Sequence, residues 1–145
     1  MTAEDLNGDH VTVGVTIESA TLTPEQISQR LGIAWDEAHR IGDPRGHTGK
    51  QWDRNIWLIF EKKQGVGSII AHDLLPACIV EAVHRLELIS GKLREIAAVE
   101  GAQFFIHITC QSVPGVSLAP TTIRLLADAK LSLDVDIILS RLEET

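Results

Sequence analysis

Apolar and polar residues alternate without a break from Val11 to Glu18. Val11, Val13, Val15 and Ile17 fall on one side, with Thr12, Gly14, Thr16 and Glu18 on the other. A period of two predicts a strand buried on one face. Gly14 stands inside that strand, where a missing side chain marks a bulge or a close backbone approach. Thr23-Pro24-Glu25-Gln26 then reads as a helix start, with Thr23 as N-cap, Pro24 at the first helical position and Gln26 closing a capping box. Ile27 and Leu31 share one helix face, and Gly32 follows the last turn as a stop.

Ala34 to Gln51 is irregular, with one further helical turn expected over Trp35–Arg40 and tight turns at Gly42, Asp43, Pro44 and Gly46. Trp52 to Phe60 predicts a second strand, with Trp52, Arg54, Ile56, Leu58 and Phe60 inward and Asp53, Asn55, Trp57 and Ile59 outward. Leu75, Ile79, Ala82, Val83 and Leu86 recur at helical spacing and predict a helix over about 71–89, with Pro76 early in it. Ser90-Gly91 divides it from a shorter helix at Lys92–Val99. Phe104, Ile106, Ile108 and Cys110 form the inner face of a third strand, and Ala119-Pro120 opens a helix carrying Ile123, Leu126 and Ala127. Leu133, Val135, Ile137 and Leu139 point inward from a last strand, with Asp134 and Asp136 outward.

This order predicts an α+β fold: a ferredoxin-like antiparallel sheet of four strands, βαβ–(helical hairpin)–βαβ, with helices mainly on one face. A hairpin connector would leave the second and third strands as antiparallel neighbours. Strands buried on both sides of a parallel sheet would read as continuous apolar runs, and these alternate. The expected organisation is a flexible N-terminal arm over 1–10, a single domain over 11–140 and a polar tail over 141–145. The outward face then carries polar residues together with Trp57, Ile59 and Phe105, an apolar cluster suited to a contact site unless the loop folds over it.

Composition narrows the function classes. The chain has 145 residues and a formal net charge of −7, which disfavours nonspecific nucleic-acid binding. No apolar run is long enough for a membrane span. The acidic, polar start MTAEDLNGDH has no signal-peptide pattern, so a cytoplasmic protein is expected. Cys78 and Cys110 lie in apolar runs without CxxC spacing and read as core residues.

The run Gly42–Lys50, GDPRGHTGK, superficially matches a phosphate loop. It has Pro44 where the first glycine belongs and Gln51 where Ser or Thr belongs. Gly65-Val66-Gly67 lacks the third glycine of a dinucleotide fingerprint. The 40–54 segment is locally basic, with Arg40, Arg45, Lys50 and Arg54 against Asp43 and Asp53. It is read either as a docking patch for an anion or acidic surface, or as a solvated loop. Six histidines form no compact ligand set, and no metal or cofactor is expected. His107 with Asp134 or Asp136 could do acid–base work if the side chains meet, although no nucleophile motif accompanies them. The candidate binding residues are therefore Arg40, Arg45, His47, Lys50, Trp52, Trp57 and Phe105.

With these residues placed, the chain resembles the bacterial family catalogued as domain of unknown function 4279. The resemblance rests on Leu22-Thr23-Pro24-Glu25-Gln26-Ile27 with Leu31-Gly32-Ile33, a Gly42-containing loop leading to Trp52, a leucine-rich helix around Leu74–Leu86, and Leu133-Asp134-Val135-Asp136-Ile137 after the final helix. It spans about Val11 to Leu139 and departs at Ala34-Trp35, where a proline is expected. It implies a small bacterial domain with no assigned activity or catalytic residues. Two readings follow. One is a non-enzymatic protein-binding domain, by analogy an immunity protein whose acidic surface neutralises a basic toxin. The other is a small-molecule or anion sensor using Arg45, His47 and Trp52. Homodimerisation through the polar sheet face is a separate expectation.

Overall fold

A computed structural model describes residues 6–140. The elements are β1 (Leu6–Ser19), α1 (Pro24–Leu31), β2 (Glu37–His39), β3 (Asn55–Val66), α2 (Ala71–Ala97), β4 (Gly101–Cys110), α3 (Pro120–Asp128) and β5 (Ser132–Leu139). They build an α+β fold on one mixed five-stranded sheet of order β2-β3-β1-β4-β5. Pairing is antiparallel except between β4 and β5. The four-stranded antiparallel ferredoxin-like sheet is therefore replaced. β1 takes the centre, and β3 and β4, each antiparallel to it, run parallel to one another on either side. They are not the antiparallel neighbours that a helical hairpin would have left.

The physical reason lies in α2, a single helix of 27 residues. Its buried positions Leu75, Ile79, Ala82, Leu86, Ile89, Leu93 and Ile96 alternate steps of four and three straight through Ser90-Gly91. A helical glycine costs about 1 kcal/mol relative to alanine. Burying the two large residues beyond it, Leu93 and Ile96, gains about 1.5–3 kcal/mol each. At 1.5 Å per residue the helix runs roughly 40 Å, enough to cross the sheet from the end of β3 to the start of β4.

One sheet face packs under the helices. Val11, Val13, Val15 and Ile17 of β1 join Trp57 and Ile59 of β3, Phe104, Ile106 and Ile108 of β4, and residues from all three helices in one core. Helix α1 starts as its sequence predicts. The Thr23 hydroxyl accepts from the Gln26 N–H, the Gln26 side chain accepts from the Thr23 N–H, and Gly32 closes the helix at φ 79°. Helix α3 buries Thr122 and Leu126, while Ile123, expected inside, is exposed.

Strand β1 begins at Leu6, so residues 6–10 of the expected arm belong to the sheet. Residues 1–5 and the expected tail at 141–145 lie outside the described residues. Asp9, in that extension, is buried and accepts from the Ala71 N–H at the start of α2 (2.8 Å) and from the Gln111 N–H past the end of β4 (3.3 Å). Its carboxylate joins three elements and meets an orphan donor at the helix N-terminus.

Candidate functional site

The second sheet face carries no helix, and the register lays its side chains out in rows. From β3 across β1 and β4 to β5 these are Lys62–Thr12–His107–Asp136 and Phe60–Gly14–Phe105–Asp134. The next row is Glu37–Leu58–Thr16–Gln103, entered from β2, followed by His39–Ile56–Glu18. The parity of β3 is opposite to the expected one. Trp57 pairs with Ile17 and is fully buried among the helices, where its Nε1 donates to the Ser28 hydroxyl of α1 (2.9 Å). It has no exposed surface on the open face, and Ile59 goes with it into the core. Ile56, Leu58 and Phe60 take the open face instead. One step of register exchanges every side chain between faces, and β3 is apolar on both.

Gly14 sets the depth of this face. A Cβ built there would lie 2.0 Å from the Ile59 carbonyl oxygen and 2.7 Å from Phe60 Cα. This is the close backbone approach that a glycine inside β1 predicts. It leaves a low point between Phe60 and Phe105.

The wall is made by the irregular segment, which folds into a finger. Gly42 N–H donates to the Trp52 carbonyl (2.8 Å), Trp52 N–H to Asp43 (2.9 Å) and Arg45 N–H to Lys50 (2.9 Å). Gly46 and Gly49 supply the positive φ of the tip, 57° and 73°. Asn55 fixes the base: its Oδ1 accepts from the Ile41 N–H (3.0 Å) and its Nδ2 donates to the Leu22 carbonyl (2.9 Å). The turn expected at Trp35–Arg40 is instead the short strand β2. Its pairing is extended by Asp36, whose Oδ2 accepts from the Phe60 N–H (2.9 Å) and from Arg85 of α2 (2.6 Å). Burial raises the Asp36 pKa, but these donors outweigh it and hold the carboxyl below its ordinary value.

Finger and sheet enclose a trough of ≈ 460 Å³. Its floor is Ile56, Leu58, Phe60 and Phe105. Trp52 stands on its wall rather than in the helix-side core: its ring stacks on His39 (centroids 4.4 Å apart, 17° between planes), and the Arg45 guanidinium sits 4.2 Å from the ring centroid. Trp52 Nε1 is buried and has no acceptor among the described residues. At the opposite side His107 Nε2 meets Asp134 Oδ2 at 3.2 Å, and Phe105 lies 4.8 Å from the His107 ring.

Of the seven candidate binding residues, Arg45, Trp52 and Phe105 line the trough. Lys50 lies on the outer side of the finger with Pro44 and Thr48. His47, at the exposed tip, lines neither surface. Arg40 is engaged elsewhere in a two-point ion pair with Glu25 of α1, one contact being 2.7 Å. The Arg40 hydrogen bond is the main cause lowering the Glu25 pKa to about 2. Hence only part of the basic segment is available to an anion. Glu18, Glu37, His39 and Lys62 complete the trough and carried no motif in the sequence. The one available signal for His39 and Trp52 was two ring residues flanking a turn-rich segment.

The expected His107–Asp134 encounter does occur, while Asp136 does not line the trough. Both partners are about half exposed, and among the described residues no hydroxyl or thiol hydrogen-bonds to His107. Cys78 and Cys110 are buried free thiols whose pKa values are raised chiefly by burial, that of Cys78 to about 11. Such thiols are poor nucleophiles. Among the described residues no three His, Cys, Asp or Glu side chains are placed to hold a metal ion, and no helix is long and apolar enough to cross a membrane.

No curated protein and no solved structure matches the chain. The model of the family described as Domain of unknown function (DUF4279) matches residues 9–140, and this chain, from the Asp9 anchor through the finger and trough to the last strand, belongs to that family.

Proposed function

We propose that the protein is a non-catalytic recognition domain that holds a small dipolar molecule with an apolar body in the trough. The observation that carries this reading is the form of the open sheet face. A face free of helices would ordinarily be a flat solvated surface. Here it is a walled depression with four large apolar side chains in its floor. Its volume of ≈ 460 Å³ falls in the ~300–1,000 Å³ range of small-molecule sites.

Charge selects the ligand class. Arg45 and Lys62 face Glu18, Glu37 and Asp134, so neither sign dominates. A bare anion meets three carboxylates, and a bare cation meets two cationic side chains. A molecule bearing both charges satisfies both sets, and its apolar body covers Leu58, Phe60 and Phe105. An acceptor on it would also satisfy the buried Trp52 Nε1. The half-exposed His107–Asp134 pair supports recognition better than acid–base chemistry, because exposed pairs are weakly coupled in water. The apolar cluster behind a protein-binding reading lies elsewhere: Trp57 and Ile59 are in the core, and Phe105 is in the trough.

The test is a thermal-shift screen of zwitterionic and neutral polar metabolites, followed by calorimetry. At a hundredfold excess over Kd, a ligand adds about 2.7 kcal/mol, or roughly 6–12 °C in Tm for a domain of this size. Trp52→Ala, on the half-buried wall, should abolish that shift. No shift across such a panel, or a shift that survives Trp52→Ala, overturns the assignment.

A further inference from the structure

The two edges of the sheet are treated differently. At one edge β2 is only three residues long, and the Asp36 carboxylate takes up the Phe60 N–H beyond it. Short strands and side-chain plugs are common ways of blunting an edge. At the other edge β5 runs for eight residues in unbroken register with β4, from Gln103↔Ser132 to Cys110↔Leu139. It contains no proline and no lysine. Among the described residues nothing pairs with its outer side.

The side chains of β5 are unusual for an unpaired edge. Leu133, Val135 and Leu139 point to the helix side and are 48%, 40% and 58% exposed. Only Ile137 of that row packs against the core. Helix α3 has nine residues and turns Thr122 and Leu126 inward, so it does not reach over the strand end to end. On the opposite side β5 presents Asp134 and Asp136. From Leu133 to Ile137 one face of the edge is thus apolar and the other acidic, and beyond this stretch the exposed Ile138 follows Asp136 on the acidic face.

We propose that β5 takes an added strand from a different protein, donated by an extended segment that alternates apolar residues with Lys or Arg. Strand addition fills the open backbone ladder, and pockets or charges at alternate positions give specificity. Apolar residues of the incoming strand cover Leu133, Val135 and Leu139. Its basic residues oppose Asp134 and Asp136, where directly opposite charges on neighbouring strands attract and like charges repel. That rule disfavours a second copy of this chain. Antiparallel self-pairing about a twofold axis puts the aspartates of both copies on the same face, in two molecules that each carry a net charge of −7. The backbone ladder that takes the strand lies outside the trough; of the two aspartates, Asp134 also lines the trough and Asp136 does not.

The experiment uses the full chain, isotopically labelled, and three synthetic ten-residue peptides. The first alternates Val with Lys, the second alternates Val with Glu, and the third is the first with N-methyl groups on alternate residues. The expected result is saturable binding of the first peptide, with amide shifts centred on residues 132–139 and slowed hydrogen exchange there. Neither of the other two should bind. Asp134→Asn/Asp136→Asn, at a half-exposed and an exposed position, should weaken the first peptide about tenfold while leaving circular dichroism unchanged. Equal binding of the N-methylated peptide overturns strand addition, and equal binding of the Glu peptide overturns the charge assignment. A free protein that sediments as a dimer with the β5 amides already protected assigns the edge to a second copy and also overturns the proposal. So does no binding of the first peptide at millimolar concentration.

Discussion

A methyl group on Gly14 cannot be accommodated by moving a side chain, because the atom it meets at 2.0 Å is the Ile59 carbonyl oxygen. The backbones of β1 and β3 would have to part at the centre of the sheet. Gly14→Ala is expected to cost about 3 kcal/mol or more, at the upper end of overpacking effects, as read by urea denaturation. A loss under about 1 kcal/mol would show that the two strands do not approach this closely. At this scale the sequence was legible where a residue has one physical use. Gly14 marked a bulge or a close approach, of which the structure has the close approach, and Thr23 with Gln26 marked a capping box. It was ambiguous where both choices bury apolar surface. Ile56, Leu58 and Phe60 satisfy the inward face of a strand as well as Trp57 and Ile59 do, and hydropathy alone does not choose between them. The choice is made by long-range contacts: Trp57 reaches Ser28 of α1, and the finger covers Ile56.

At the scale of elements, α2 is the clearest case of a local signal overridden by a longer one. Gly91 reads as a break, yet the buried positions keep their four-and-three spacing past it to Ile96. Gly91 is exposed, and a Cβ there meets nothing within 4 Å. In a continuous helix Gly91→Ala should therefore stabilise the protein by about 0.5–1 kcal/mol, from reduced freedom of the unfolded chain. In a helical hairpin turning at this residue the same change would be neutral or harmful, so the sign of the shift in denaturation midpoint decides. The finger was legible as a glycine-punctuated loop ending near Trp52, but its closing contacts were not. They depend on Asn55 joining Ile41 to Leu22, a pairing of side chain with backbone that leaves no period in the sequence. Strand β5 shows the converse failure. Its alternation gives the right element, while the exposure of Leu133, Val135 and Leu139 follows from its place at the sheet edge.

For the whole molecule, strand order was the part least open to inference. Each alternating segment declares one buried face and says nothing of its neighbours, and the three-residue β2 lies inside the stretch with the weakest pattern. What ties the layers together is partly electrostatic, and this makes stability depend on pH with a definite sign. Glu25 and Asp36 both have folded pKa values below their ordinary ones, Glu25 at about 2 against 4.5, with Arg40 and Arg85 as their charged partners. A depressed carboxylate pKa gives stability that is present above the unfolded value and is lost as pH falls through the folded one. Acidification from pH 7 toward the isoelectric region near 5.3 first relieves the repulsion of seven excess negative charges, a mild gain. Below about 4.5 the unfolded chain binds protons that the folded carboxylates refuse, and Tm should fall. Arg40→Ala/Arg85→Ala isolates this contribution. Without the guanidinium partners the carboxyls return toward ordinary values, so the difference in unfolding free energy between parent and variant should be largest at pH 7 and close toward pH 2. A difference that stays constant from pH 7 to pH 2 would assign the effect of these arginines to packing of their stems rather than to charge.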